Sequence, residues 1–218
     1  MSKNSVGEKF NLSKLIDAQN LSKKIVRDVA AKAFIGMSEV DGINLLNEEF
    51  NKYGEIKFWH PHKFRIGRNT LCAFKEESDP FIRLEKNGHF FIDVGPVFFD
   101  HEGDYGETFI FGENSLHENL KKTCEKLFYL THQEFLLNQT SGKALYEFLE
   151  RKCLEFKVIL NLQSLGHRVG DFPHHLFYRG KLKDVEEIIS PNIWVLEVQV
   201  SNLEKTSGAF FEDIIWDK

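Results

Sequence analysis

Apolar positions recur at near-helical spacing from Leu12 to Ala33, through Leu15, Ile16, Leu21, Ile25, Val26, Val29 and Ala30. They predict an amphipathic helix that ends at Gly36. Ser38 with Asp41 reads as the capped start of a second helix, through Ile43, Leu45, Leu46 and Phe50 to Tyr53, broken by Gly54. Residues 1–11 are polar and are expected to be loose, and residues 56–87 mix turn signals without a period. Phe90 to Phe99 reads as a strand, Gly103 as a turn, and Glu107 to Phe111 as a second strand. Asn114 or Ser115 caps a long helix to about Leu137, and another runs from Gly142 to about Phe156. Residues 158–176 are loop-rich around Gly166 and Gly170, and strands follow at Ile193–Val200 and Ala209–Trp216. Helices come first and strands mixed with helices come after, so the expected class is α+β.

A chain of 218 residues suits one domain over 1–218, with room for a proper core. Apolar residues at 42% and charged residues at 28% place it with ordinary globular proteins. The 21 Phe fall largely in strand-like runs and read as core filler. Net charge is -5 with no basic stripe, which argues against nucleic-acid binding. No apolar run can span a bilayer, and no hydrophobic signal core follows the N-terminus, so a cytoplasmic protein without a membrane partner is expected. Cys72, Cys124 and Cys153 are odd in number and lack CxxC spacing, which fits reduced core thiols.

The candidate chemistry begins at Ile92-Asp93-Val94-Gly95 and Gly103-Asp104-Tyr105. The aspartates are eleven residues apart, an odd offset that one straight strand would send to opposite faces. A turn between them can bring both carboxylates to one point, where a cation would relieve their repulsion. Read alone, such a pair is more often ordinary turn and strand-edge acids. His167 lies in Gly166-His-Arg-Val-Gly170, well placed for a ligand but also readable as part of a histidine-rich surface loop. Glu197 interrupts the apolar run Trp194–Val200 and Glu212 the run Phe210–Trp216, where an unpartnered carboxylate is costly. Gln199 alternates onto the face of Glu197, so that face could also be solvated.

Taken in order, the two aspartates, Gly-His-x-x-Gly, a strand glutamate and a near-terminal strand glutamate resemble the pita-bread metallopeptidase family. That family includes methionine aminopeptidases, prolidases, aminopeptidase P and creatinase. The resemblance covers nearly the whole chain and implies a curved antiparallel sheet covered by helices. It implies two divalent metal ions, of Mn, Fe, Co or Zn. Asp93 would chelate one, His167 and Glu197 would bind the other, and Asp104 and Glu212 would bridge both. Glu197 would also relay a proton from the metal-bound water, and His174 would contact the substrate or stabilise the transition state, which makes them the catalytic pair. The implied activity is amide hydrolysis by a metal-bridging hydroxide on a peptide or small-molecule amide substrate, and a homodimer is left open.

The sequence departs from the family in its substrate-facing residues. Phe74 stands where the peptidases usually carry a histidine, and His60 and His62 upstream read first as loop residues. Glu197-Val198 replaces the common Glu-Pro, and Tyr105-Gly-Glu-Thr-Phe109 replaces the run Thr-Arg-Thr-Phe. The extra N-terminal domain of the prolidase and creatinase relatives is not in this sequence, so a more open site or another oligomeric contact is expected. These departures keep open a same-fold enzyme acting on a small metabolite, by C–N cleavage or elimination, and a non-catalytic binding member.

Overall fold

The computed structural model describes residues 2–217. Helix α1 spans Leu12–Ala30, with Asn11 accepting from the Lys14 N–H at its start. It ends before the expected Ala33, and turns lead to Gly36 at φ +87°. Helix α2, Glu39–Asn51, opens with a reciprocal capping box: Ser38 Oγ accepts from the Asp41 N–H, and the Asp41 carboxylate accepts from the Ser38 N–H. Such a cap satisfies backbone donors that a helix start would leave unpaired. Helices α3, Ser115–Asn138, and α4, Gly142–Glu155, lie close to the expected bounds.

The strand read as Phe90 to Phe99 divides at Gly95. Its first part, His89–Val94, enters a seven-stranded sheet, and its second part, Pro96–Phe98, enters a three-stranded one. In chain order the strands are β1 (Lys57–Phe58), β2 (Lys63–Ile66), β3 (His89–Val94), β4 (Pro96–Phe98), β5 (His101–Glu102), β6 (Tyr105–Ile110), β7 (Ile159–Leu160), β8 (His167–Arg168), β9 (Trp194–Ser201) and β10 (Gly208–Ile214). The larger sheet runs β2-β3-β6-β10-β9-β7, with β8 also on β9, and the smaller runs β1-β4-β5. All these pairs are antiparallel.

Strand alternation sorts the side chains of the large sheet. Phe90, Ile92 and Val94 of β3, Leu196, Val198 and Val200 of β9, and Phe211 of β10 join the helix residues Ile25, Val26, Leu127 and Phe128 in the main core. Each such burial stabilises the fold by about 1.5–3 kcal/mol. The Phe128 and Phe211 rings, 4.9 Å apart, mark where α3 seats on the sheet. With period two, Asp93, Glu197 and Glu212 must point to the other face.

Residues 2–11 are tied down where their polar composition suggested a loose end. The Lys3 N–H donates to Glu187, Asn4 Nδ2 to Ile188 O at 2.8 Å, the Gly7 N–H to Asp171 and the Asn11 N–H to His101 Nε2. The buried Arg168 guanidinium donates to the carbonyls of Lys3 and Ser5. The Lys3 and Ser5 carbonyls thereby satisfy the guanidinium of a buried residue. Met1 lies outside the described residues.

Candidate metal centre

The sheet register brings the predicted acids together. Asp93 on β3 stands opposite Gly106 on β6, Gly106 opposite Glu212 on β10, and Glu212 opposite Glu197 on β9. Gly106 is the one member of this rank without a side chain, and the space it leaves is needed. A Cβ there would lie 2.3 Å from Phe210 Cε1 and 3.0 Å from Glu212 Oε1. Asp104 sits two residues before Gly106 and so returns to the same face. The odd offset from Asp93 is absorbed by the β4–β5 turn, where Phe99 and Asp100 adopt φ of 55° and 61°.

His167 on the short strand β8 completes the set. Its Nε2 is 2.8 Å from Asp104 Oδ2 and 3.8 Å from Glu197 Oε1, and its Nδ1 is 2.7 Å from Arg168 O. Glu197 is oriented on both sides: the Gly166 N–H donates to its Oε2 at 3.0 Å, and the Tyr146 hydroxyl donates to its backbone carbonyl at 3.0 Å. Asp104, His167 and Glu212 offer ligand atoms within 4.8 Å of one another, and so do His60, Asp93 and Asp104. His60 is therefore more than the loop residue it first resembled. Its Nε2 is 3.5 Å from both Asp93 Oδ1 and Asp104 Oδ1. His62, two residues on, faces away into the rings of Phe50 and Phe58, and burial lowers its pKa to about 4. Gln199 is also buried, donating to Thr70 O and Cys72 O, so the face it shares with Glu197 is not a solvated one.

The electrostatics fit cations. Burial pushes the Glu212 carboxyl well up, and the charges of Asp104, Asp93 and Glu197 push it further. Asp93 and Glu197 are raised by burial, against the pull of His60 and His167 respectively. Burial would also raise Asp104, but the neighbouring His167 and His60 hold it below the usual carboxylate range. Burial opposes charge on both histidines, yet the Asp93 and Asp104 carboxylates carry His60 up to about 9, and Asp104 carries His167 up to about 10. Without cations the cluster must therefore be neutralised by protons. Asp104 Oδ1 and Oδ2 and Glu212 Oε1 are buried without a hydrogen bond of good geometry, although His167 lies close by. Buried carboxylate oxygens left in this way are suited to metal bonds. Oxygen-rich ligation with imidazole suits divalent manganese, iron, cobalt or zinc.

His174 lies in a 3-10 turn, His174–Leu176, beside this cluster. Its N–H donates to Glu102 Oε1 at 3.2 Å and its Nδ1 is 2.7 Å from Glu102 Oε2, while its ring stacks 5.6 Å from that of His167. Trp59 covers both histidines, with ring centroids 4.6 Å from His167 and 4.9 Å from His174. Glu102, Tyr146 and Trp59 escaped the sequence reading. Only Glu102 carried a signal, as an acid two residues before Asp104 in a run that turned out wholly buried.

The comparisons agree with this geometry. The family model for metallopeptidase family M24 matches residues 13–216. No curated protein sequence matches the chain significantly. Among solved structures, the methionine aminopeptidase of Thermotoga maritima superposes with TM-score 0.76 at 13% identity, covering 100% of both chains. The prolidase of Pyrococcus horikoshii OT3 gives 0.75 at 16% identity, over 99% of this chain and 62% of that one. Zinc-substituted Escherichia coli aminopeptidase P in complex with product gives 0.73 at 15% identity, over 98% of this chain and 54% of the other. The chain thus spans about three fifths of the prolidase and the full length of the methionine aminopeptidase. These likenesses establish the pita-bread fold expected from the sequence. With 204 consecutive positions from 13 to 216 inside the family model, the chain belongs to metallopeptidase family M24.

Proposed function

We propose that this protein is a dinuclear metal-dependent hydrolase that cleaves an amide bond, with Asp93, Asp104, His167, Glu197 and Glu212 holding the two ions. The observation that carries this reading is the rank Asp93–Gly106–Glu212–Glu197 across four strands, with Asp104 beside it. Two bound divalent cations would lower the pKa of an attacking water and neutralise charge developing on the substrate oxygen. Glu197, whose Oε2 is held by the Gly166 N–H, would relay the water's proton as well as bind an ion. His174, oriented through Nδ1 by the fully buried Glu102, presents Nε2 to the substrate amide. Free, buried Cys124 and Cys153 agree with a reducing, cytoplasmic setting.

Metal reconstitution followed by a substrate panel tests the reading. Protein loaded with manganese, iron, cobalt or zinc should release an N-terminal residue from short peptides, including Xaa-Pro peptides. Metal-loaded protein that leaves every peptide intact would refute peptide hydrolysis. A second reading, cleavage of a small metabolite, is favoured by the Trp59 ring set against both His167 and His174. Turnover of small amides or betaines in the same panel, without peptide turnover, would select it.

A further inference from the structure

We propose that His60 is a sixth ligand of the metal centre, placing an imidazole on the ion held by Asp93 and Asp104. This rests on the dinuclear reading above. Four observations carry it. The first is distance. His60 Nε2 stands 3.5 Å from Asp93 Oδ1 and 3.5 Å from Asp104 Oδ1, longer than a good charge-assisted hydrogen bond to either. Ligands about 2.1 Å from one ion lie about 3.0–3.4 Å apart in octahedral to tetrahedral arrangements, so the two spacings resemble edges of a coordination polyhedron.

The second observation is the tautomer. His60 Nδ1 is 2.9 Å from Pro61 O, and His167 Nδ1 is 2.7 Å from Arg168 O. Each imidazole can donate Nδ1–H to the carbonyl of the next residue, which leaves the Nε2 lone pair facing the carboxylates. Histidines that bind metals are commonly held through their second nitrogen in this way. The two rings thus share one supporting arrangement and approach Asp104 by different oxygens, Oδ1 and Oδ2.

The third observation is the seat. The Trp59 N–H donates to Gly95 O at 3.0 Å, docking the segment before His60 on the β3–β4 junction. A Cβ at Gly95 would lie 2.5 Å from His60 Nε2 and 2.3 Å from Trp59 Nε1, so glycine is needed for the ring to reach this place. Phe74 packs edge-on against the imidazole at 5.2 Å and 85°, limiting its rotation. His60 keeps 8% of its exposure. The fourth is charge. Asp93, Asp104, Glu197 and Glu212 together balance two divalent cations, so any added ligand should be neutral, as imidazole is.

The test is cobalt titration of the chelator-treated protein, followed by X-ray absorption and electronic spectroscopy of the cobalt form. Wild type should bind two cobalt ions and show on average one imidazole per ion. His60→Ala should lose at least about tenfold in affinity for one ion and show half an imidazole per ion averaged over a loaded pair. His167→Ala should weaken the other ion. Gly95→Ala should reproduce the His60→Ala loss while keeping the imidazole in the sequence. An average of half an imidazole per ion in wild type would overturn the assignment without any variant. So would His60→Ala with wild-type affinity and spectrum. Wild type that binds no cobalt would instead bring down the dinuclear reading, and His60 with it.

Discussion

Replacing Glu212 by Gln should strengthen the metal-free fold while abolishing its response to metal. Glu212 retains 2% of its exposure, and its Oε1 has no hydrogen-bond partner. Burial, then the charges of Asp104, Asp93 and Glu197, hold its carboxyl well above the ordinary value of 4.5. The sign follows from linkage. A carboxyl whose folded pKa is raised lowers stability above its unfolded pKa, and the cost grows until pH passes the folded value. In its acid form Glu212 donates to Asp93, and a Gln amide can donate in the same way without needing a proton from solvent. Relieving an uncompensated buried polar group is worth about 1–3 kcal/mol. For a chain of this size each kcal/mol moves Tm by about 2–4 °C, so a rise of about 2–12 °C is expected.

The assay is thermal unfolding of both proteins in chelator and in saturating manganese or zinc, at pH 4.5 and pH 8. In chelator the gain for Glu212→Gln should be near zero at pH 4.5 and full at pH 8. In metal, wild type should gain about 2.7 kcal/mol for each ion bound at a hundredfold excess over its Kd, and the variant should gain little. A variant that melts below wild type in chelator at pH 8 would refute the account of Glu212 as a strained acid. A variant that keeps the full metal-dependent rise would remove Glu212 from the ligand set.

Other consequences are as direct. Asp104→Ala should lose most of the about two ions expected on protein purified without chelator, measured by elemental mass spectrometry; full metal content would contradict its bridging position. His174→Ala should keep its metal and lose about 10²–10⁴ in kcat, and unchanged turnover would return His174 to the loop. Glu102→Gln should keep metal too and slow turnover by about 10–100-fold, by loosening the ring it orients. Metal uptake near pH 7.5 should release protons, because His167 titrates at about 10 in the metal-free protein and binds metal only when neutral. Apparent affinity should therefore fall as pH falls below that value, and calorimetry in buffers of different ionisation enthalpy counts the protons; none released would contradict imidazole ligation.

Much of the fold was legible because local signals agreed with one another. The helix near Leu12–Ala30, the Ser38–Asp41 cap and the strands near Ile193 and Ala209 all carry both a period and a boundary residue. Asp93, Glu197 and Glu212 lie on strands, and once the register is known they meet without further assumption. The remainder depends on contacts through space. Strand β1 ends at Phe58, so His60 and His62 lie on no regular element, and nothing local distinguishes His60, which faces Asp93, from His62, which faces Phe50. Glu102 matters through His174, a contact made between strand β5 and a distant 3-10 turn. The polar start of the chain read as loose because composition does not record that Arg168 needs the carbonyls of Lys3 and Ser5.

The same division explains how the residues proposed to face substrate can depart from the family while the proposed ligand set stays whole. Asp93, Glu197 and Glu212 stand on strands whose register is fixed by neighbours on both sides, and whose other faces are packed by Phe211, Val198 and Ile92. A one-residue slip would turn every ligand into the apolar core and every core side chain out of it. Trp59, Phe74 and His174 stand on a loop after a two-residue strand, on a turn and on a 3-10 turn, where a change alters one contact and leaves the sheet intact. Selection for a different substrate can therefore act on those three positions at little cost to the metal centre. If Phe74 occupies the place of a peptidase histidine, the same turn sets that ring against His60, so imidazole can reach the carboxylates from the β1 side instead. On the proposed reading the sheet would specify where cations are held, and these short segments what can approach them.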